Sequence, residues 1–237
     1  MLSNLRNAAR NRLARRWEVP SIEFALERLK KHGVSPRHVF DVGAYRGEFA
    51  ELCRRLWPDA AVTCFEVLPD PCRRLSELAR GHQQFQLIPC LLGATNQSGV
   101  ELHLAETASS VLTEQAKRQT TKATFQMRTC DDIVQKEFGG SGPDFLKLDV
   151  QGYELEVLKG AVTTMQSLDV ILAEVNLLDI HREVPLLAET VSWLASRNWV
   201  AYDICSLIRR PLDRALWQAD MLFVPAKSPL RADKRYA

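Results

Sequence analysis

The chain has 237 residues, of which 46% are hydrophobic and 25% charged, with a formal net charge of +2. Those values fit one well-buried soluble domain with small additions. A balance this close to neutral gives no case for nucleic acid or an acidic polymer as a partner.

Residues 1–20 hold five arginines (Arg6, Arg10, Arg12, Arg15 and Arg16) among Leu2, Leu5, Leu13 and Trp17. They read as a basic surface helix whose apolar face is thin for a membrane or a partner. Apolar residues then recur at Ile22, Ala25, Leu26 and Leu29. That spacing predicts an amphipathic helix over 21–31, with Ser21 as N-cap and Gly33 as the stop. Strands and helices alternate from there. Runs at 38–42, 61–66, 85–90, 145–150, 170–175, 200–204 and 221–224 read as strands, and 47–56, 71–80, 152–165 and 184–197 as helices. Such alternation predicts an α/β fold, a parallel sheet covered by helices on both faces. The stretch 94–129 breaks the rhythm, with short strands at 100–104 and 123–128 on either side of the polar segment 106–122. That segment reads as a lid or as disorder; a lid carrying Ser109 and Ser110 would exclude water from a transfer site, while in an ordinary loop their hydroxyls would cap a turn. Residues 226–237 are polar and basic and are expected to form a mobile tail. The domain itself is expected to span 21–225.

The six cysteines (Cys53, Cys64, Cys72, Cys90, Cys130 and Cys205) form no CxxC pair and no metal-ligand spacing. Cys64 and Cys90 sit in apolar runs and are expected as buried thiols of a reducing compartment. No apolar run approaches the ~20 residues that cross a bilayer, and no signal-peptide core is visible. A cytoplasmic location without a transmembrane segment is expected.

Two stretches carry chemistry. In Asp41-Val42-Gly43-Ala44-Tyr45-Arg46-Gly47, glycines at i and i+4 after an apolar strand let the backbone turn sharply against a ligand. The helix that follows offers free N–H groups and a positive dipole end. The pattern is not GxGxxG, and it suits a small carboxylate better than a pyrophosphate; an ordinary strand–helix turn would also use these glycines. Glu66 ends the next strand, twenty-five residues after Asp41. In a doubly wound sheet an acid at that point accepts hydrogen bonds from both ribose hydroxyls and rejects a 2′-phosphate. The alternative is a strand-end acid facing solvent. The second stretch, 144–154, is a strand-like run ending on Asp149, followed by Gly152 and a helix-like segment.

These stretches resemble the FkbM-type family of S-adenosylmethionine-dependent methyltransferases. The matching segments are DVGAYRGEF (41–49), FEVLPDP (65–71), CLLGA (90–94), SSV (109–111), DFLKLDVQGYELEVLKGA (144–161), AEV (173–175) and DMLFV (220–224). They cover roughly 38–225, and the 144–161 block is the specific part. Tyr45 stands where the family usually has Asn, and Val67 where Pro usually follows the acid. The resemblance implies a Rossmann-like class I fold, a seven-stranded, mostly parallel sheet with its last strand antiparallel. It also implies S-adenosylmethionine as cofactor. The turn carrying Asp41, Gly43, Ala44, Tyr45 and Gly47 would hold the methionine end, Glu66 the ribose, and Val67 and Leu92 the adenine.

Asp149 then has two open roles, contacting the cofactor's amino group or serving as base for an acceptor hydroxyl. Proximity supplies most of the acceleration of such a transfer, and a base adds typically ~10²–10⁴-fold. A free Asp, with a pKa near ~3.9, is a feeble base for an alcohol, which favours positioning. Lys147, one alternation earlier on the same strand face, is expected to pair with it. His181, in the loop after 170–175, is the candidate base near neutral pH, with an inert surface histidine as the alternative. Glu174 is a second acid at that strand end. Asp131 and Asp132 read as the cap of the next helix, and no metal is expected. The resulting expectation is O-methylation of a hydroxyl on a small metabolite or sugar, the oxygen coming from the resemblance alone. N-methylation of another acceptor, a catalytically silent cofactor-binding scaffold or partner subunit, and an NAD-dependent oxidoreductase remain open. The last is disfavoured by the missing GxGxxG. Homo-oligomerisation through the N-terminal helices is also open.

Overall fold

A computed structural model describes residues 16–104 and 121–236. The expected basic segment, apart from residues 16–20, and the expected lid, apart from residues 121 and 122, lie outside the described residues. So do Ser109 and Ser110.

Helix α1 (Ile22–Lys31) buries Phe24, Ala25, Leu26 and Leu29 and ends before Gly33, whose φ of +89° suits the stop. Ser21 occupies the N-cap position without making a side-chain cap bond. The central elements follow in order: β1 (His38–Val42), α2 (Glu48–Leu56), β2 (Ala61–Phe65), α3 (Pro69–Gly81) and β3 (Phe85–Ile88). Pro89 lacks an amide N–H, so β3 stops earlier than the expected 90. A two-residue strand, β4 (Leu91–Leu92), leaves for a second sheet. There β6 (Thr121–Arg128) is flanked by β4 in parallel and by β5 (Gln97–Leu104) in antiparallel.

Helix α4 (Cys130–Glu137) is capped by Thr129, whose hydroxyl accepts from Asp132 N at 3.0 Å. The expectation that Asp131 and Asp132 form the cap is corrected accordingly; both lie in the first turn. Asp131 instead accepts from the backbone N–H of Thr163 and Thr164, at 3.0 and 2.8 Å. Next come β7 (Phe145–Leu148) and α5 (Glu154–Lys159), the latter shorter than the expected 152–165. Gly160 ends it by packing on the Gly93 carbonyl, where a Cβ would sit 2.0 Å from the oxygen. The remaining elements are β8 (Val170–Asn176), α6 (Leu187–Ala195), β9 (Trp199–Arg209) and β10 (Leu216–Pro225). Strand β9 is much longer than 200–204, because its hairpin with β10 pairs from Trp199 to Arg209. In the expected tail, Leu230 packs against the core and Ser228 is buried.

The main sheet runs β3-β2-β1-β7-β8-β10-β9, with β10 antiparallel to both neighbours. It is the predicted seven-stranded, mostly parallel class I architecture. Alternation sorts its strands into two cores. Val39, Phe145, Val170 and Leu222 face α1–α3, while Phe40, Leu146, Ile171 and Phe223 face α4–α6. Strand order reverses between β1 and β7, where a ligand crevice opens beyond the carboxyl ends of a parallel sheet. Cys64 and Cys90 are buried, and all six cysteines are free thiols. No helix among the described residues is long and apolar enough to cross a membrane.

Candidate functional site

The reversal point is built around two glycine turns pressed together. Gly43 has φ +74°, and a Cβ there would lie 1.9 Å from the Asp149 carbonyl oxygen. Only a glycine lets the β1 turn approach the end of β7 this closely. The N–H groups of Gly43 and Ala44 both donate to the Phe65 carbonyl, at 3.0 and 3.1 Å, which ties the turn to the end of β2. Tyr45 has φ +46°. Asn or Gly adopts that left-handed conformation more easily, so the departure from the family's Asn carries a cost of roughly 1 kcal/mol.

Glu66 follows β2 and is fixed by three backbone donors. Its Oε1 accepts from Val67 N (2.7 Å) and Leu68 N (2.9 Å), and its Oε2 from Tyr45 N (3.0 Å). Burial pushes its carboxyl above the usual range, and the three N–H bonds oppose that shift without cancelling it. Glu66 lines a cleft of about 220 Å³ whose apolar wall includes Val67, Cys90, Leu92 and Leu102. Gly43, Tyr45, Asp149 and Gln151 line the same cleft. A fixed carboxylate beside an apolar wall, facing a glycine turn, fits a nucleoside-bearing molecule with ribose hydroxyls and a flat base.

Asp149 brings charge to the cleft, and Lys147 organises that charge. Its Nζ lies 3.1 Å from Asp41 Oδ1, 3.4 Å from Asp149 Oδ2 and 3.0 Å from the Gly43 carbonyl oxygen. The parallel register places Asp41 opposite Lys147, which is why two residues a hundred positions apart meet. Burial alone would lower the Lys147 pKa, but the two carboxylates outweigh it and raise it. Burial raises that of Asp41, against the pull of Lys147.

Of the three candidate catalytic residues, Asp149 lines the cleft and the other two do not. His181 is only 2% exposed, so it is neither a surface histidine nor a wall of the cleft. Glu174 is also buried and is reached through Gln151, whose Nε2 is 3.4 Å from its Oε1. Burial first, and then Asp149, Glu154 and Asp220, raise the Glu174 carboxyl well above the usual range. Glu154, Gln151, Gln218 and Asp220, for which local pattern predicts no role, all belong to this carboxylate-rich edge. Glu154 Oε1 accepts from Val150 N (2.9 Å) and Gly152 N (3.2 Å), closing the turn after β7. Among the described residues, no group of three or more His, Cys, Asp or Glu side chains could hold a metal.

Residues 41–200 match the family described as the methyltransferase FkbM domain. The chain is similar to a hexuronic acid methyltransferase, AglP, of Haloferax volcanii, with 29% identity over 167 residues. That match covers 68% of this chain and 63% of the relative, so it spans less than two thirds of the relative's length. A solved structure of a methyltransferase FkbM from Methylobacillus flagellatus KT superposes with a TM-score of 0.53 at 18% identity. The superposition covers 80% of this chain and 43% of that one, and it is a likeness of fold.

Proposed function

The chain belongs to the FkbM-domain methyltransferase family, whose cofactor is S-adenosylmethionine, and we propose that it methylates a hydroxyl of a small sugar-like acceptor. The observation that carries this reading is Glu66, a buried carboxylate held by three backbone N–H groups beside the apolar wall of the cleft. Bound there, S-adenosylmethionine supplies an electrophilic methyl group. In this reading Glu66 accepts the ribose hydroxyls, Val67 and Leu92 flank the adenine, and the Asp41–Gly47 turn receives the methionine end. Asp149, the candidate catalytic residue that reaches the cleft, orients the reactants there. Its ion pair with Lys147 holds the side chain in place, which suits accepting a hydrogen bond from a ligand. The relative from Haloferax volcanii is named for acting on a hexuronic acid, which supports a hydroxylated sugar as acceptor.

The test is incubation with methyl-labelled S-adenosylmethionine and a panel of uronic acids, neutral sugars and amino sugars, read by mass spectrometry. A methyl ether on a sugar hydroxyl is the expected product. Transfer to nitrogen alone would overturn the oxygen acceptor, and cofactor binding without any transfer would favour a silent scaffold.

A further inference from the structure

Behind the cleft floor a line of polar side chains crosses four strands. Asp41 on β1 meets Lys147 on β7, Lys147 reaches Asp149, and Gln151 joins Asp149 to Glu174 on β8. Gln218 on β10 then donates to Glu174 Oε1 at 2.5 Å and to Asn176 Oδ1 at 3.2 Å. In this line only Asp149 and Gln151 face the cleft.

Gln151 is where the line enters the cleft. Its φ is +56°, and that of Gly152 after it is +99°. The left-handed conformation costs a non-glycine residue roughly 1 kcal/mol, so contacts beyond the local backbone hold it. Glu154 supplies some of them by binding the N–H groups of Val150 and Gly152 on either side. The result is a neutral carboxamide lying between two carboxylates. Two facing carboxylates repel, whereas an amide with two hydrogens can donate one to each. Asp149 is therefore gripped on both oxygens, Oδ1 by Gln151 at 3.0 Å and Oδ2 by Lys147 at 3.4 Å.

We propose that Gln151 is a positioning residue that clamps Asp149 between Lys147 and the buried anchor Glu174, and that it supports ligand binding through Asp149. The clamp rests on the cofactor reading above. Glu174 serves in it as an anchor rather than as a group that reaches the substrate. A carboxylate that is already oriented has less freedom to lose when it accepts a hydrogen bond from a ligand, which raises affinity.

The probe is S-adenosylhomocysteine, titrated by calorimetry. Gln151→Met keeps the side-chain length and removes the amide, and Asp149→Ala removes the group it holds. Gln151→Met should weaken affinity about 5- to 10-fold in the native background, as expected when one side chain must be ordered on binding. In the Asp149→Ala background it should change affinity less than about 2-fold, because residues acting as a unit are not additive. Glu174→Gln keeps an acceptor oxygen for both neighbouring amides and should stay within about 2-fold of the native protein. Equal losses in the two backgrounds, or no loss in either, would overturn the clamp. If the native protein does not bind the probe at all, the cofactor reading fails instead. The clamp is then read without ligand from the Gln151 carboxamide protons, identified by their loss in Gln151→Met. Their shift on Glu174→Leu supports the clamp, and random-coil positions in the native protein would overturn it.

Discussion

Glu154 is a carboxyl group whose neutralisation should stabilise the protein, and only above a particular pH. It is buried at the start of α5, with Oε1 accepting from Val150 N and Gly152 N. Burial pushes its pKa up to about 7, backbone N–H bonds from Glu154 itself, Val150 and Gly152 pull against that, and Asp149 adds to the rise. The folded-state value lies above the ordinary value of 4.5, so the folded protein holds the proton more tightly than the unfolded chain. Stability from this group is therefore full below about pH 4.5 and is lost as pH rises through about 7. With one pKa unit worth 1.36 kcal/mol, the loss has an upper bound of roughly 3 kcal/mol. Glu154→Gln keeps a carbonyl oxygen for the two N–H groups and does not ionise. Urea denaturation should find the variant nearly equal to the native protein at pH 4 and about 2 kcal/mol more stable at pH 9. Glu154→Ala, which orphans both N–H groups, should lose about 1–3 kcal/mol at acid pH and correspondingly less at pH 9, because it too lacks the ionising carboxyl. An offset for Glu154→Gln that is the same at both values would refute the reasoning.

Three further perturbations test the site. Tyr45→Asn keeps the backbone N–H that reaches Glu66 and relieves the left-handed strain, so it should stabilise by about 1 kcal/mol, seen as a higher melting temperature. A lower one would mean that the Tyr45 ring contributes more than its backbone costs. Lys147→Met leaves Asp41 buried without its cation and should destabilise by about 3 kcal/mol in denaturant titration, while a loss below about 1 kcal/mol would remove Lys147 as organiser of the edge. His181→Ala should lower the melting temperature through lost packing and leave the rate–pH profile unmoved; a shifted profile with intact cofactor affinity would instead restore it as the base.

Much of the framework was legible because local pattern and tertiary demand agree. Strand β1 falls at the predicted residues, and the Asp41–Gly47 turn and Glu66 lie where strand ends meet at the reversal of order. The charged edge was less legible, since its partners are chosen by register. Asp220 lies opposite Glu174 and Gln218 opposite Asn176 only because β10 pairs antiparallel with β8. Nothing local to Gln218 announces that contact. Glu154 looks like an ordinary first-turn acid favoured by the helix dipole, and only its burial reveals that it closes the turn before it. The two-residue strand β4 carries too little pattern to be read, yet its sheet supplies Leu92 and Leu102 to the cleft. The length of β9 depends on a hairpin with register shifts, which a period of two does not foresee.

The central claim is that Glu66 anchors an S-adenosylmethionine site, and calorimetric titration with S-adenosylhomocysteine tests it most directly, with NAD as the control ligand. The native protein should bind the first at micromolar concentration and the second not at all. Glu66→Ala, checked by its melting curve to separate lost fold from lost affinity, should bind about 10- to 100-fold more weakly. Unchanged affinity in a folded Glu66→Ala protein, or tighter binding of NAD, would contradict the account.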